Sequence, residues 1–176
     1  IDLEVLEKYH EGLIATTACI GGEVAVAATA HGYEKAKLMA KKYQKIFGED
    51  FYFEVQYRPT LPEQKIINDI YYKLSKELGI PVVATNDSHY LKLEDNEAQD
   101  ILLCIQTKKH LDDKDRLCMM GENLALVPPE EMEEWFSDHP EALENTHTIA
   151  GKCHLNIELG KLQFPEYPLP QARTPE

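Results

Sequence analysis

Short hydrophobic runs alternate along the chain with longer stretches of helical period. After a short helical start, Gly12 to Thr16 (GLIAT) is an apolar run ended by Thr17-Ala18-Cys19 and the Gly21-Gly22 pair, which predicts a buried strand. Helical stretches follow over Glu23 to His31 and again after Gly32, where Ala36, Ala40, Tyr43 and Phe47 form one stripe that Gly48 stops. Phe51 to Gln56 (FYFEVQ) predicts a second strand, with Phe51, Phe53 and Val55 on one face and Tyr52, Glu54 and Gln56 on the other. Thr60-Leu61-Pro62-Glu63 has the T-x-x-E form of a capping box, with proline just inside the helix start. The helix it opens carries Ile66, Ile70, Leu74 and Leu78, each four apart, and closes at Gly79. Pro81 to Thr85 (PVVAT) predicts a third strand, which runs into the polar segment Asn86-Asp87-Ser88-His89.

Strand and helix in alternation predict an α/β fold with a parallel sheet. Three strands fall short of the roughly eight that close a barrel, so the sheet is open or further strands lie upstream. The second part of the chain differs. Ala98, Ile101, Leu102 and Ile105 make one more helical stripe, a charged loop follows at Asp112 to Arg116, and helices are expected to start near Pro129 and Pro140. Three prolines between Phe164 and Pro170 predict an extended linker.

At 176 residues, 43% hydrophobic and 28% charged, the chain has the composition of one ordinary globular domain. No run approaches the roughly 20 apolar residues of a membrane helix. The chain opens without Met and without a signal-peptide pattern, so its natural start is expected upstream. Eighteen Lys and Arg stand against 31 Asp and Glu, a formal net charge of −13. A protein that grips a DNA backbone needs a basic face, and Lys41-Lys42 is the nearest thing to a basic block here. This segment is not expected to hold DNA by itself. Cys19, Cys104, Cys118 and Cys153 form no CxxC pair, which excludes a closed zinc knot and fits the cytoplasm.

In parallel α/β folds, functional groups collect where strands end. Asp87 and His89 directly follow the third strand, and Cys19 follows the first. A carboxylate, an imidazole and a thiolate are all competent ligands for zinc or a related transition metal. Each also has a plainer reading: Asp87 caps a turn, His89 faces solvent, and Cys19 packs as a small hydrophobe. Glu54, on the polar side of its strand, either lines a site or pairs with a cation. Cys153-His154 ends a helical stripe and reads as core cysteine and helix-end cation. No phosphate loop, nucleophile elbow or H-E-x-x-H helix is present.

Val83 to Tyr90 (VATNDSHY) resembles the last motif of the PHP (polymerase and histidinol phosphatase) domain in bacterial DNA polymerase III alpha subunits. DILLCIQT (100–107), EALENT (141–146), ELGK (158–161) and GLIATTACIGGE (12–23) resemble the same family, in the right order. The resemblance covers residues 10 to 170 and implies a partial, distorted βα barrel followed by a mostly helical segment. Residues 1–110 would be the C-terminal part of the PHP domain, 111–163 a helical extension, and 164–176 a proline-rich linker toward the polymerase palm. It further implies a divalent metal (zinc, manganese or iron) held in part by Cys19, Asp87 and His89, with the remaining ligands upstream. The loop departs from the family's Ser-Gly-Cys, carrying Thr17-Ala18-Cys19 instead.

By the same resemblance the parent chain would synthesise DNA with magnesium at a palm outside this segment. It would work with other replicase subunits, among them a proofreading exonuclease and a sliding clamp, and would meet DNA through its other regions. The PHP part would carry 3′–5′ exonuclease or phosphoesterase activity, or else serve as a vestigial scaffold docking a separate exonuclease. A free-standing phosphatase of the histidinol-phosphatase kind is disfavoured by the tail, which suits a chain continuing into a palm.

Overall fold

The computed structural model describes residues 1–162 and 164; all of the expected linker except Phe164 lies outside the described residues. A first helix, α1 (Leu3–Tyr9), starts at Asp2, whose carboxylate accepts from the Val5 amide at 3.0 Å. The strands are β1 (Ala15–Thr16), β2 (Phe51–Gln56) and β3 (Val82–Thr85). All pair in parallel and stand in the order β1-β2-β3, with Ala15 beside Phe51 and Glu54 beside Val83. Between β1 and β2 run α2 (Glu23–His31) and α3 (Tyr33–Phe47); between β2 and β3 runs α4 (Pro62–Leu78). This is the expected α/β arrangement, and among the described residues the sheet is open with three strands.

The apolar face of the sheet meets α2, α3 and α4. Phe51, Phe53, Val55, Val82 and Ala84 are buried there with Ala36, Ala40, Ile67, Tyr71 and Leu74. Phe53 stacks on Tyr71 with ring centroids 4.8 Å apart, and Tyr43 stacks on Phe51 at 5.6 Å. Burying side chains of this size supplies about 1.5–3 kcal/mol each, which makes this layer the main stabilising one.

Three expectations are corrected in detail. The first strand is two residues long: only Ala15 and Thr16 pair with β2, and the chain before them turns at Gly12, with φ 77°. Leu61, not Thr60, is the N-cap of α4 and no side chain caps that end; Pro62 alone marks the start. The inward face of α4 is Gln64, Ile67, Tyr71 and Leu74, whereas Ile66 is 51% exposed. A strict four-residue spacing drifts by about 40° per step around a 3.6-residue turn, so no four-apart series stays on one face.

After β3 come α5 (Asn96–Thr107), α6 (Pro129–Trp135) and α7 (Pro140–Lys152), the mostly helical segment. The stripe read from the sequence on α5 faces outward: Ile101, Leu102 and Ile105 are exposed, while Asp100, Leu103 and Cys104 are buried. Arg116 donates from Nη1 and Nη2 to the two oxygens of Asp100 at 2.5 and 2.8 Å, and this fork sets the helix's rotation. Phe136 and Ala142 join the same core as the sheet, so α6 and α7 pack onto it rather than standing apart. Among the described residues no helix is long and apolar enough to cross a membrane.

Candidate functional site

Parallel strands place their C-terminal ends on one edge, and that edge is where the polar residues gather. Glu54 on β2 is its hub. Thr16 on β1 and Thr85 on β3 both donate hydroxyl hydrogen bonds of 2.6 Å to its carboxylate, and Gln56 adds one from its amide at 3.1 Å. The Glu54 amide donates in turn to the Thr17 hydroxyl at 2.9 Å. One carboxylate thus ties all three strand ends together, with every donor neutral. Of the two readings left open for Glu54, pairing with a cation does not describe this arrangement; the carboxylate stands on the polar strand edge with its oxygens bonded to neutral donors.

Cys19 lies just beyond β1, in a turn where Ala18 takes the left-handed region at φ 58°. Asp87 lies two residues beyond β3 and is left-handed as well, at φ 53°. Non-glycine residues hold that conformation at a cost of order 1 kcal/mol, and such strain collects at functional sites. Cys19 and Asp87 line one cavity of about 390 Å³, together with Gln56, Arg58, Cys118 and Glu122. His89 stands beside Asp87, outside the residues lining that cavity. Its Nδ1–H donates to the Asp87 carbonyl at 2.7 Å, a bond that leaves the Nε2 lone pair free in the neutral ring.

The residue that sequence reasoning missed is Arg58. It sits two residues beyond β2, the same offset as Asp87 beyond β3, and that shared offset was the available signal. Its side chain is 7% exposed. Nη2 donates to Asp87 Oδ2 at 2.9 Å, and Nη1 is 3.9 Å from Glu122 Oε2. Nε is buried without a partner. The segment bearing Glu122 is fixed by a lattice of bonds to the residues after β3. Asn86 Nδ2 and Ser88 Oγ donate to the Ala125 carbonyl at 2.8 and 3.1 Å, and the His89 amide donates to the Leu124 carbonyl at 2.8 Å. The Tyr90 hydroxyl donates to the Glu122 carbonyl at 3.1 Å.

These contacts decide whether the residues present fit a metal. The donor types suit zinc, manganese or iron. The arrangement does not. One oxygen of Asp87 is taken by a buried guanidinium, and among the described residues no three of His, Cys, Asp and Glu stand close enough to share an ion. An ion bound at Asp87 would face Arg58 at close range. A single and a double positive charge about 5 Å apart repel by roughly 7 kcal/mol at an effective dielectric of about 20.

The PHP domain profile matches residues 1–58. The DNA polymerase III subunit alpha of Borreliella burgdorferi is 46% identical over 99% of the chain, and that of Campylobacter jejuni 42% over 95%. The Thermus aquaticus subunit is 35% identical over 99%. The chain belongs to the PHP region of the bacterial DNA polymerase III alpha subunit family. It spans about 15% of the length of these relatives.

Proposed function

We propose that the parent protein is the DNA-synthesising alpha subunit of a bacterial replicase, and that this chain is the later part of its PHP domain acting as a scaffold. The observation that carries the first part is similarity along almost the entire chain to subunits named for that role. The observation that carries the second is Arg58, which occupies Asp87 from within the protein. On this reading residues 1–110 complete a distorted βα barrel with strands supplied upstream, 111–163 buttress it, and 164–176 lead toward the palm. Magnesium and DNA are handled by the palm and other regions of the parent chain. A separate proofreading exonuclease and a sliding clamp are its partners, in the cytoplasm.

Metal-dependent 3′–5′ exonuclease or phosphoesterase chemistry is the second reading. It is supported by Cys19 and Asp87 opening onto one cavity and by His89 beside them. It requires ligands from upstream and requires Arg58 to leave Asp87, which places it second. The test uses the full-length parent protein on a primed template with magnesium. Primer extension is expected, and the Asp87→Asn protein should extend at the wild-type rate and retain any primer-shortening activity of the wild type. Absence of extension would overturn the polymerase assignment; loss of primer shortening in Asp87→Asn alone would move the metal-dependent reading to first place.

A further inference from the structure

An apolar groove lies between α6 and α7, and α5 turns an apolar face outward, but nothing in the structure indicates what would cover either. The strand edge carries more. Arg58 reaches from the end of β2 to an acid after β3 and toward a second acid, Glu122, on the segment that crosses the edge. Those two acids belong to different stretches of chain, 35 residues apart in number (87 and 122); Glu122 is shielded, at 11% exposed, whereas Asp87 is 41% exposed and meets both the guanidinium and solvent.

We propose that Arg58 is a resident cation that clamps this edge in the place where the family's fold would put a metal. The inference rests on the PHP assignment only for where an ion would otherwise sit. The clamp itself stands on distances, burial and charge. A buried guanidinium cannot lose its proton, so it is a permanent positive charge; one arm of its planar fork bonds Asp87 at 2.9 Å and the other stands 3.9 Å from Glu122, near enough to neutralise it without a hydrogen bond. Two carboxylates facing one cavity repel each other unless a cation lies between them. Arg58 meets that need with no ion from solution, at the cost of a buried Nε lacking a partner. It also explains how Asp87 is kept in its strained turn: the carboxylate is held from the front by Nη2, while the backbone behind it is held by Asn86, Ser88 and His89. Arg58 is therefore a positioning residue, and the edge is built to keep its shape without metal.

The test follows hydrogen–deuterium exchange in the full-length parent protein over residues 86–90 and 117–126, with bound metal counted by mass spectrometry in parallel. Wild-type protein treated with EDTA, or loaded with Mn²⁺ or Zn²⁺, is expected to exchange at unchanged rates in both segments. Arg58→Gln and Asp87→Asn should each speed exchange in both segments about tenfold, and the double variant should be no faster than either single one. Arg58→Lys, which keeps the charge but loses the fork, should fall between wild type and Arg58→Gln. Metal content should be the same in wild type and Asp87→Asn. Faster exchange at these segments after EDTA, or the loss of one equivalent of metal in Asp87→Asn, would overturn the proposal, and neither arm requires the Arg58 variants to fold. A failure of primer extension would leave these readings untouched, so the two ideas fail separately.

Discussion

The Asn145 side chain on α7 donates to the Val82 carbonyl on β3 at 2.7 Å, joining residues 63 positions apart. In the ladder with β2, the Phe53 amide bonds the Pro81 carbonyl, so the odd-numbered groups of β3 face β2 and Val82 faces outward. Asn145 thus satisfies a backbone group on the side of β3 that, among the described residues, has no strand beside it. Removing it with Asn145→Ala leaves that carbonyl buried under α7 without a donor. We expect a loss of about 1–3 kcal/mol in urea unfolding. Leu102→Glu, on the outward face of α5, should stay within about 0.5 kcal/mol of wild type.

Two adjacent glycines should respond very differently. A Cβ on Gly22 would stand 2.2 Å from the Thr17 carbonyl oxygen, whereas one on Gly21 meets nothing closer than the Cys19 sulfur at 4.0 Å. Gly22→Ala must push apart the turn that carries Cys19, and we expect it to cost at least about 2 kcal/mol. Gly21→Ala should change the urea midpoint little. Equal effects at both positions would show that the turn is not closed as described.

Glu54 offers a sharper probe of the strand edge. Glu54→Ala strips the acceptor from Thr16, Thr85 and Gln56 together and should destabilise the protein by about 2 kcal/mol or more. Thr16→Val removes one donor only and should cost about 1 kcal/mol. The double variant should be less than additive, since both changes remove the same bond, and unfolding of the four proteins in a cycle measures it.

Alkaline stability has a defined window. Burial first, and then the hydrogen bond Tyr43 donates to Glu23 at 2.6 Å, push the Tyr43 phenol up to about 12; burial does the same for Tyr72. In the unfolded chain both ionise near 10. Folded-state values above unfolded ones mean the contribution is fully present below pH 10 and is lost as pH rises from 10 toward 12. Chemical unfolding between pH 9 and 12 should show that decline, and Tyr43→Phe should make it shallower.

Much of this was legible in the sequence, for identifiable reasons. The strands PVVAT and FYFEVQ declare themselves because a short apolar run bounded by glycine, proline or polar residues has few other uses, and Gly32, Gly48 and Gly79 mark helix ends at positive φ. Helix rotation was harder. On α4 and α5 the inward face is chosen by partners distant in sequence, Phe53 for Tyr71 and Arg116 for Asp100, and no local ruler reports them. The same limit hid the clamp. Cys19, Asp87 and His89 announce themselves by residue type and by following strands. Arg58 in a loop looks like any solvated charge until β2 and β3 are set side by side.

The order of strands across the sheet is also their order along the chain. Each newly made strand therefore finds its partner already in place, with no need to wait for a later one. Emerging from a ribosome, the sheet can be laid down one strand at a time, β2 upon β1 and β3 upon β2, with loop closures kept short. Among the described residues the side-chain bond of longest reach is Lys152 to Asp50 at 2.8 Å, which spans 102 residues, and Lys152 also meets the Tyr52 hydroxyl. Nascent chains arrested with residue 110 outside the exit tunnel should already protect β2 from protease, and those arrested past residue 152 should add protection at Asp50. The segment is arranged to finish folding in the direction in which it is read.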